Sequence, residues 1–213
     1  MQTEENFADA LAALTTADPD LGRLVNAYGR PDFWFRPPGF ATLVLFILEQ
    51  QVSLASGAAA FRKLQARIGE VNPESVLQPD DDQLRADGFS RQKARYVREL
   101  ARSVLSGAVD LDGLPQVSDD EVRARLTALT GIGPWTAEVY LLSCLRRPDI
   151  WPVADRALQV ATAEALALEQ LPDPQTLVEI GQRWRPHRST AARLLWHGYL
   201  ARRGRAEISF VGL

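Results

Sequence analysis

Gly131-Ile132-Gly133-Pro134 stands between two apolar helical patterns in LTALTGIGPWTAEVYLL, and such a junction can bind an anion without any basic side chain. Glycines turn where other residues resist, and a proline suits a first helical position, so the stretch reads as a tight helix–hairpin–helix. With no side chain in the way, the hairpin N–H groups and the next helix N-terminus can approach a phosphate. The carbonyls of Thr127, Leu129 and Ile132, on the hairpin's other side, are candidates to hold Na+ or K+. The plainer reading is a helix C-cap and a connection. Twenty-two positions after Gly133, Asp155 follows Trp151-Pro152-Val153-Ala154 at the start of another helical pattern. The plain use of an Asp there is as an N-cap.

Several chemistries are excluded by composition. Cys144 is the only cysteine, so neither an internal disulfide nor a four-cysteine iron–sulfur cluster can form, and with two histidines there is no zinc-site spacing. The apolar runs, of which FATLVLFILEQQV is the strongest, are too short or too interrupted to span a bilayer. The N-terminus MQTEENFADA lacks the pattern of a secretory signal, so the expectation is a soluble, cytoplasmic protein with no membrane partner. A net charge of −3 argues mildly against nucleic acid, but its distribution argues the other way. From Gly181 to Ala206 there are seven arginines and no Asp or Glu, and Arg91, Lys93, Arg95, Arg98 and Arg102 form a second cluster. Such runs are usually solvated helix faces unless a motif stands beside them.

The elements that must position these groups are helical almost throughout, and the fold class is all-α. Two short helices split at Asp18-Pro19, and a Pro-Gly start leads into the buried helix of FATLVLFILEQQV. Ser53, Ser90 and Ser118 are caps for the helices that follow them, with Gly69 and Gly131 as stops and a turn at Gly88. Three more helices are expected near 155–167, 174–184 and 188–204.

These segments together resemble the helix–hairpin–helix DNA glycosylases, and within them the bacterial 3-methyladenine DNA glycosylase II branch. The resemblance covers about residues 36–204 and rests on LEQQVSLASGAAA, LTGIGPWTAEVYLL, IWPVADRALQ and RWRPHRSTAARLLWHGYL. It implies a two-lobed HhH-GPD glycosylase fold with the active-site cleft between the lobes. Residues 36–147 would form a central lobe carrying the wedge helix and the helix–hairpin–helix (about 118–146), and 1–35 plus 148–213 a second lobe carrying the Asp loop. The amino-terminal β-rich domain of the best-known branch members has too few residues here, which implies a compact form.

What the resemblance implies for individual residues is specific. Asp155 would be the catalytic carboxylate, stabilising positive charge on the deoxyribose and orienting or deprotonating water. Gly131, Ile132, Gly133 and Thr136 would contact the DNA backbone, and Trp135 and Trp196 would line the base pocket, where ring faces attract cationic alkylated bases. Trp34 and Trp184 are left to the core. Family members that also cut the backbone carry a nucleophilic lysine where this chain has Trp135, and its only lysines, Lys63 and Lys93, are remote from the hairpin in sequence. A monofunctional enzyme that uses water is therefore implied. Base flipping needs a residue to fill the vacated stack, and Gln51 is the wedge candidate, in place of the apolar residue of the best-known relatives; Leu54 or a residue elsewhere is the alternative, and the plainer reading is that Gln50 and Gln51 end a buried helix with amide hydrogen bonds.

The function implied is hydrolysis of the N-glycosidic bond of alkylated purines of the 3-methyladenine or 7-methylguanine type in double-stranded DNA, by a monomer. No cofactor is required. Two alternatives stay open from the residues: a non-catalytic helix–hairpin–helix DNA-binding module, and a monofunctional glycosylase for another damaged or mismatched base. A pure binder would need neither Asp155 nor the tryptophans.

Overall fold

The structure is a computed structural model and describes residues 1–204. Among these residues it holds eleven α-helices and no strand. They are α1 (Glu4–Ala17), α2 (Pro19–Tyr28), α3 (Phe40–Glu49), α4 (Leu54–Ile68), α5 (Asp81–Ala86), α6 (Arg91–Leu105), α7 (Asp119–Thr127), α8 (Pro134–Ser143), α9 (Arg156–Ala165), α10 (Pro174–Gln182) and α11 (Arg188–Ala201). Two short 3-10 turns, Ser75–Leu77 and Leu114–Gln116, carry no helical pattern in the sequence. The expected caps are present. Asp18 ends α1 and caps α2, and Ser53, Ser90 and Ser118 accept from backbone N–H groups in the first turns of α4, α6 and α7. The α7 helix ends at Thr127 rather than at Gly131, because two i→i+3 bonds, Leu129 N to Leu126 O and Ile132 N to Leu129 O, follow it.

The described residues form two compact units, one of Met1–Phe35 with residues 141–204, the other of Arg36–Tyr140. The first break lies between Phe35 and Arg36. The second falls inside α8 instead of after 147, because the segment that follows is bonded into the first unit: Gln2 N donates to Arg146 O at 2.6 Å and the Ser189 hydroxyl to Arg147 O at 2.7 Å.

In the first unit α11 packs against α1, α2 and α9. It can be enclosed on so many sides because its buried residues include Ser189, Thr190, Ala191, Ala192 and Gly198. A Cβ at Gly198 would lie 3.0 Å from Leu24 of α2. In the second unit α3 is apolar all round and is covered by α4 and α6, as a helix of that pattern must be. Its one buried acid, Glu49, is held in a two-bond pair with Arg36 at 2.8 Å, and both side chains are 3% exposed. Gly57 lets α4 close on Glu49, where a Cβ would sit 2.6 Å from the Glu49 side chain.

Candidate functional site

The two hairpin glycines do different work. Gly131 has φ +87, in the region that penalises a side chain, and a Cβ on it would lie 2.4 Å from the Tyr96 ring of α6. Its requirement is therefore internal to the fold. Gly133 is exposed, lies outside the positive-φ set, and would carry a Cβ with nothing within 4 Å of it. Among the described residues no contact and no positive φ demands a glycine there, so a side chain would point into open space. Ile132 is 4% and Thr136 2% exposed, so their side chains anchor the hairpin, and the surface that can meet a ligand is Gly133-Pro134 with the first turn of α8. Only one of the two glycines thus turns through a conformation reserved for glycine.

A second glutamine holds this hairpin in place. Gln50, the C-cap of α3, donates from Nε2 to Gly131 O at 2.8 Å. Lys93 Nζ of α6 donates to Leu48 O at 2.6 Å, which ties down the carbonyl end of α3, and burial lowers the Lys93 pKa. Gln51, next in the chain, is exposed with φ +58. A left-handed conformation costs a non-glycine residue about 1–2 kcal/mol, and such outliers gather where a side chain is displayed for use.

The carboxylate site belongs to the first unit. Asp155 is the N-cap of α9, and its Oδ1 accepts from Leu158 N at 2.7 Å and from Trp196 Nε1 at 3.1 Å. The capping use of Asp155 is real, and the indole donor adds what a cap alone does not need. The loop that delivers it is pinned along its length. Trp151 Nε1 donates to Leu177 O at 2.8 Å, Ile150 N to Ser189 Oγ at 2.9 Å, and Arg188 makes a forked pair with Asp149 at 2.7 and 2.9 Å. Gly181 lies so close under the Trp151 indole that a Cβ would meet Nε1 at 2.6 Å.

An aromatic wall stands beside the carboxylate. Trp196 and Trp34 are half-buried, with ring centroids 6.2 Å apart. Trp34 is thus not a core residue, unlike Trp184, which is 1% exposed and donates to Asp18 at 2.7 Å. Behind Trp34 lies Arg193, 1% exposed, with its guanidinium carbon 4.2 Å from the Trp34 ring centroid. Arg193 donates to Trp34 O at 2.6 Å and Leu142 O at 3.1 Å, its Nε has no partner, and burial pushes its pKa down to about 9. Trp135, in the first turn of α8, is half-buried and belongs to the second unit. The histidines of the last segment take structural places: His187 precedes α11, and His197 Nε2 is 2.9 Å from Tyr28 O.

The profile of the HhH-GPD superfamily of base excision DNA repair proteins matches residues 44–186. The chain belongs to this superfamily. It is 30% identical over 158 residues to a Bacillus subtilis protein provisionally named a DNA-3-methyladenine glycosylase; the match covers 70% of this chain and 55% of that protein. The chain thus spans about half the length of that relative. Among solved structures it is similar to a DNA-3-methyladenine glycosidase from Bacillus halodurans, with a TM-score of 0.77, 28% identity, and 89% and 88% of the two chains covered. It is also similar to the 3-methyladenine DNA glycosylase of Schizosaccharomyces pombe in complex with abasic DNA, with a TM-score of 0.79, 26% identity, and 88% and 95% covered. The family match takes in Gln51, the hairpin and Asp155 and stops before Trp196 and Arg193. Among the described residues no cluster of His, Cys, Asp and Glu could hold a metal ion, and no helix is long and apolar enough to cross a membrane.

Sequence reasoning left Trp34 to the core and Arg193 among the basic run, and gave Gln50 only the amide bonds that end a buried helix, without their partner. For Gln50 a signal was present, since a pair of amides ending an apolar helix must bond to something. Neither Trp34 nor Arg193 carries a local pattern that separates it from its neighbours.

Proposed function

We propose that the chain is a monofunctional DNA glycosylase that flips an alkylated purine of the 3-methyladenine or 7-methylguanine type from double-stranded DNA and hydrolyses its N-glycosidic bond. The observation that carries the reading is Asp155, whose Oδ1 is oriented by both the α9 N-terminus and the Trp196 indole. In this reading the carbon–nitrogen bond breaks with its electron pair going to the base, so that a cationic base leaves as a neutral molecule. The sugar is left with positive charge, which the Asp155 carboxylate stabilises, and a water adds to the sugar and gives up its proton. The products are a free base and an abasic site. Trp196 and Trp34 offer ring faces to a cationic base, with Trp135 a further pocket residue.

Two observations favour water over an amine nucleophile. The resemblance puts Trp135 where backbone-cutting relatives carry a lysine, and of the two lysines Lys93 is committed to Leu48 O while Lys63 lies exposed on α4. Gly133, Pro134 and the start of α8 take the phosphates, and Gln51 enters the vacated stack. A Na+ or K+ on the carbonyls of Thr127, Leu129 and Ile132 would stiffen the hairpin. Leu129 O already accepts from Ile132 N at 3.1 Å, and a carbonyl's second lone pair suits that use. The enzyme acts as a monomer. The test is release of methylated bases from DNA treated with a methylating agent, by the wild type and by Asp155→Asn. Release by neither sinks the reading, and equal release by both sinks the role of Asp155.

A further inference from the structure

The two arginine clusters of the sequence meet different fates. In the carboxy-terminal run, acids from elsewhere in the chain reach the arginines. Arg183 pairs with Asp18 at 2.8 Å, Arg188 with Asp149 at 2.7 Å, and Arg203 with Glu164 at 2.7 Å. Arg193 is buried, and Arg205 lies outside the described residues. The run that most suggested nucleic acid is therefore largely spent inside the fold.

The α6 cluster is not. Arg91, Arg95, Arg98 and Arg102 recur at i, i+4, i+7 and i+11, which is one stripe of a helix, and they line a recess of about 270 Å³ against α5, with Arg85 across it. Asp81 is the one acid in the lining, and it pairs with Arg98. Arg95 reaches Glu99 only at 3.8 Å, and neither Arg91 nor Arg102 makes a side-chain ion pair or hydrogen bond among the described residues. Like charges at these spacings weaken a helix, and Arg91 also sits at the N-terminal end, where the dipole disfavours a cation and no acid shares the first turn. An arrangement that works against its own helix is offset when an anion occupies it.

We propose that this stripe binds phosphodiesters of the DNA duplex, as a second backbone contact beside the hairpin. The proposal rests on the DNA-binding reading above. A line of cations suits a polymer better than a single small anion. From Arg91 to Arg102 the stripe runs about 16 Å, roughly the axial length of five phosphates on one strand. The stripe is also joined to the hairpin: Gly131 closes on the Tyr96 ring of the same helix, and the Arg95 guanidinium lies 5.3 Å from that ring centroid.

The experiment measures affinity for an undamaged duplex across about 50–200 mM salt, for the wild type and for the double variant Arg91→Gln, Arg102→Gln. Both side chains are exposed, so circular dichroism should show an unchanged helix content. Each lost phosphate contact lowers the slope of log affinity against log salt by about 0.9, so the double variant should lose about 1.8 and bind on the order of 50-fold more weakly at 0.1 M salt. An unchanged slope in the folded variant overturns the proposal. So does an unchanged slope together with binding of inorganic tripolyphosphate that only the wild type shows, since the recess then takes a free phosphate. A wild type that binds duplex and releases no methylated base refutes the glycosylase reading alone, and one that does not bind duplex overturns both.

Discussion

Replacing each hairpin glycine by alanine should separate the fold from the ligand. Gly131→Ala places a methyl group at φ +87, which costs about 1–2 kcal/mol, and drives it to 2.4 Å from the Tyr96 ring. The nearest atoms are Cγ, Cδ2 and Cβ of Tyr96, close to its backbone, so the ring cannot swing clear as a flexible side-chain end would. Overpacking of that kind adds about 1–3 kcal/mol. The sum, about 2–5 kcal/mol, lowers the melting temperature by on the order of 10 °C for a chain of this size. Gly133→Ala meets no atom within 4 Å and needs no special backbone conformation. Its small loss as a helix cap and its gain from a less flexible unfolded chain leave stability within about 0.5 kcal/mol. The same methyl group would keep a phosphate from the hairpin N–H groups, and losing one charge-assisted bond of about 1.5–3 kcal/mol weakens duplex binding at least tenfold. Thermal melts and duplex titrations at fixed salt read both effects. Wild-type binding by Gly133→Ala would show that the hairpin tip is only a connection, and wild-type melting by Gly131→Ala would show that Tyr96 does not close against it.

Asp155→Asn keeps an oxygen for the Leu158 and Trp196 donors and caps α9 as well as Asp does, so its melting temperature should match the wild type while excision falls at least about 100-fold. Incubation with abasic-site DNA should give no strand cleavage above the protein-free control, and borohydride should trap no covalent complex; a trapped species lost on replacing Lys63 or Lys93 would overturn the use of water. Trp196→Phe removes the Asp155 hydrogen bond and keeps a ring, whereas Trp196→Leu removes both. Single-turnover rates on 7-methylguanine and hypoxanthine DNA should therefore both fall in the first variant, with the preference for the cationic base narrowed by less than in the second. In the second, the preference for the cationic base should also narrow, by about 0.5–2 kcal/mol, and an unchanged ratio would place Trp196 outside the pocket. Trp34→Leu should narrow that ratio less than Trp196→Leu, and a larger effect at Trp34 would reverse the ranking of the two rings.

Much of this site was legible because its signals are local. Ser53, Ser90 and Ser118 cap helices through bonds to residues three positions on, and a glycine–X–glycine–proline junction acts through its own backbone. Asp155 was legible as a cap for the same reason. Its bond from Trp196 was not, because 41 residues separate the two and only the packing of α9 on α11 brings them together. The arginines show the same limit from the other side. A run without acids reads as a basic surface, yet Asp18, Asp149 and Glu164 reach into it from distant positions, and Arg193 turns inward at a point where neighbouring arginines turn outward. Charge in a sequence becomes charge on a surface only after long-range pairing is subtracted.

That subtraction also explains why the two tryptophans beside Asp155 should differ. Arg193 has no carboxylate partner among the described residues, so its charge is answered by carbonyl oxygens and by ring faces, with its guanidinium carbon 4.2 Å from the Trp34 ring centroid and 5.2 Å from that of Phe33. A buried cation at that distance draws the negative face of Trp34 toward itself, and less of it is left for a second cation. Trp196 is polarised in the opposite sense. Its Nε1–H donates to the Asp155 carboxylate, and a charge-assisted donor bond pushes electron density back into the indole. Of the two rings, Trp196 should therefore attract a positively charged base more strongly, and in the proposed reading the bond that gives it that attraction also orients the carboxylate that would stabilise the sugar. Base selection and bond cleavage then share one contact, so a substitution at Trp196 should disturb both while one at Trp34 disturbs mainly the shape of the wall.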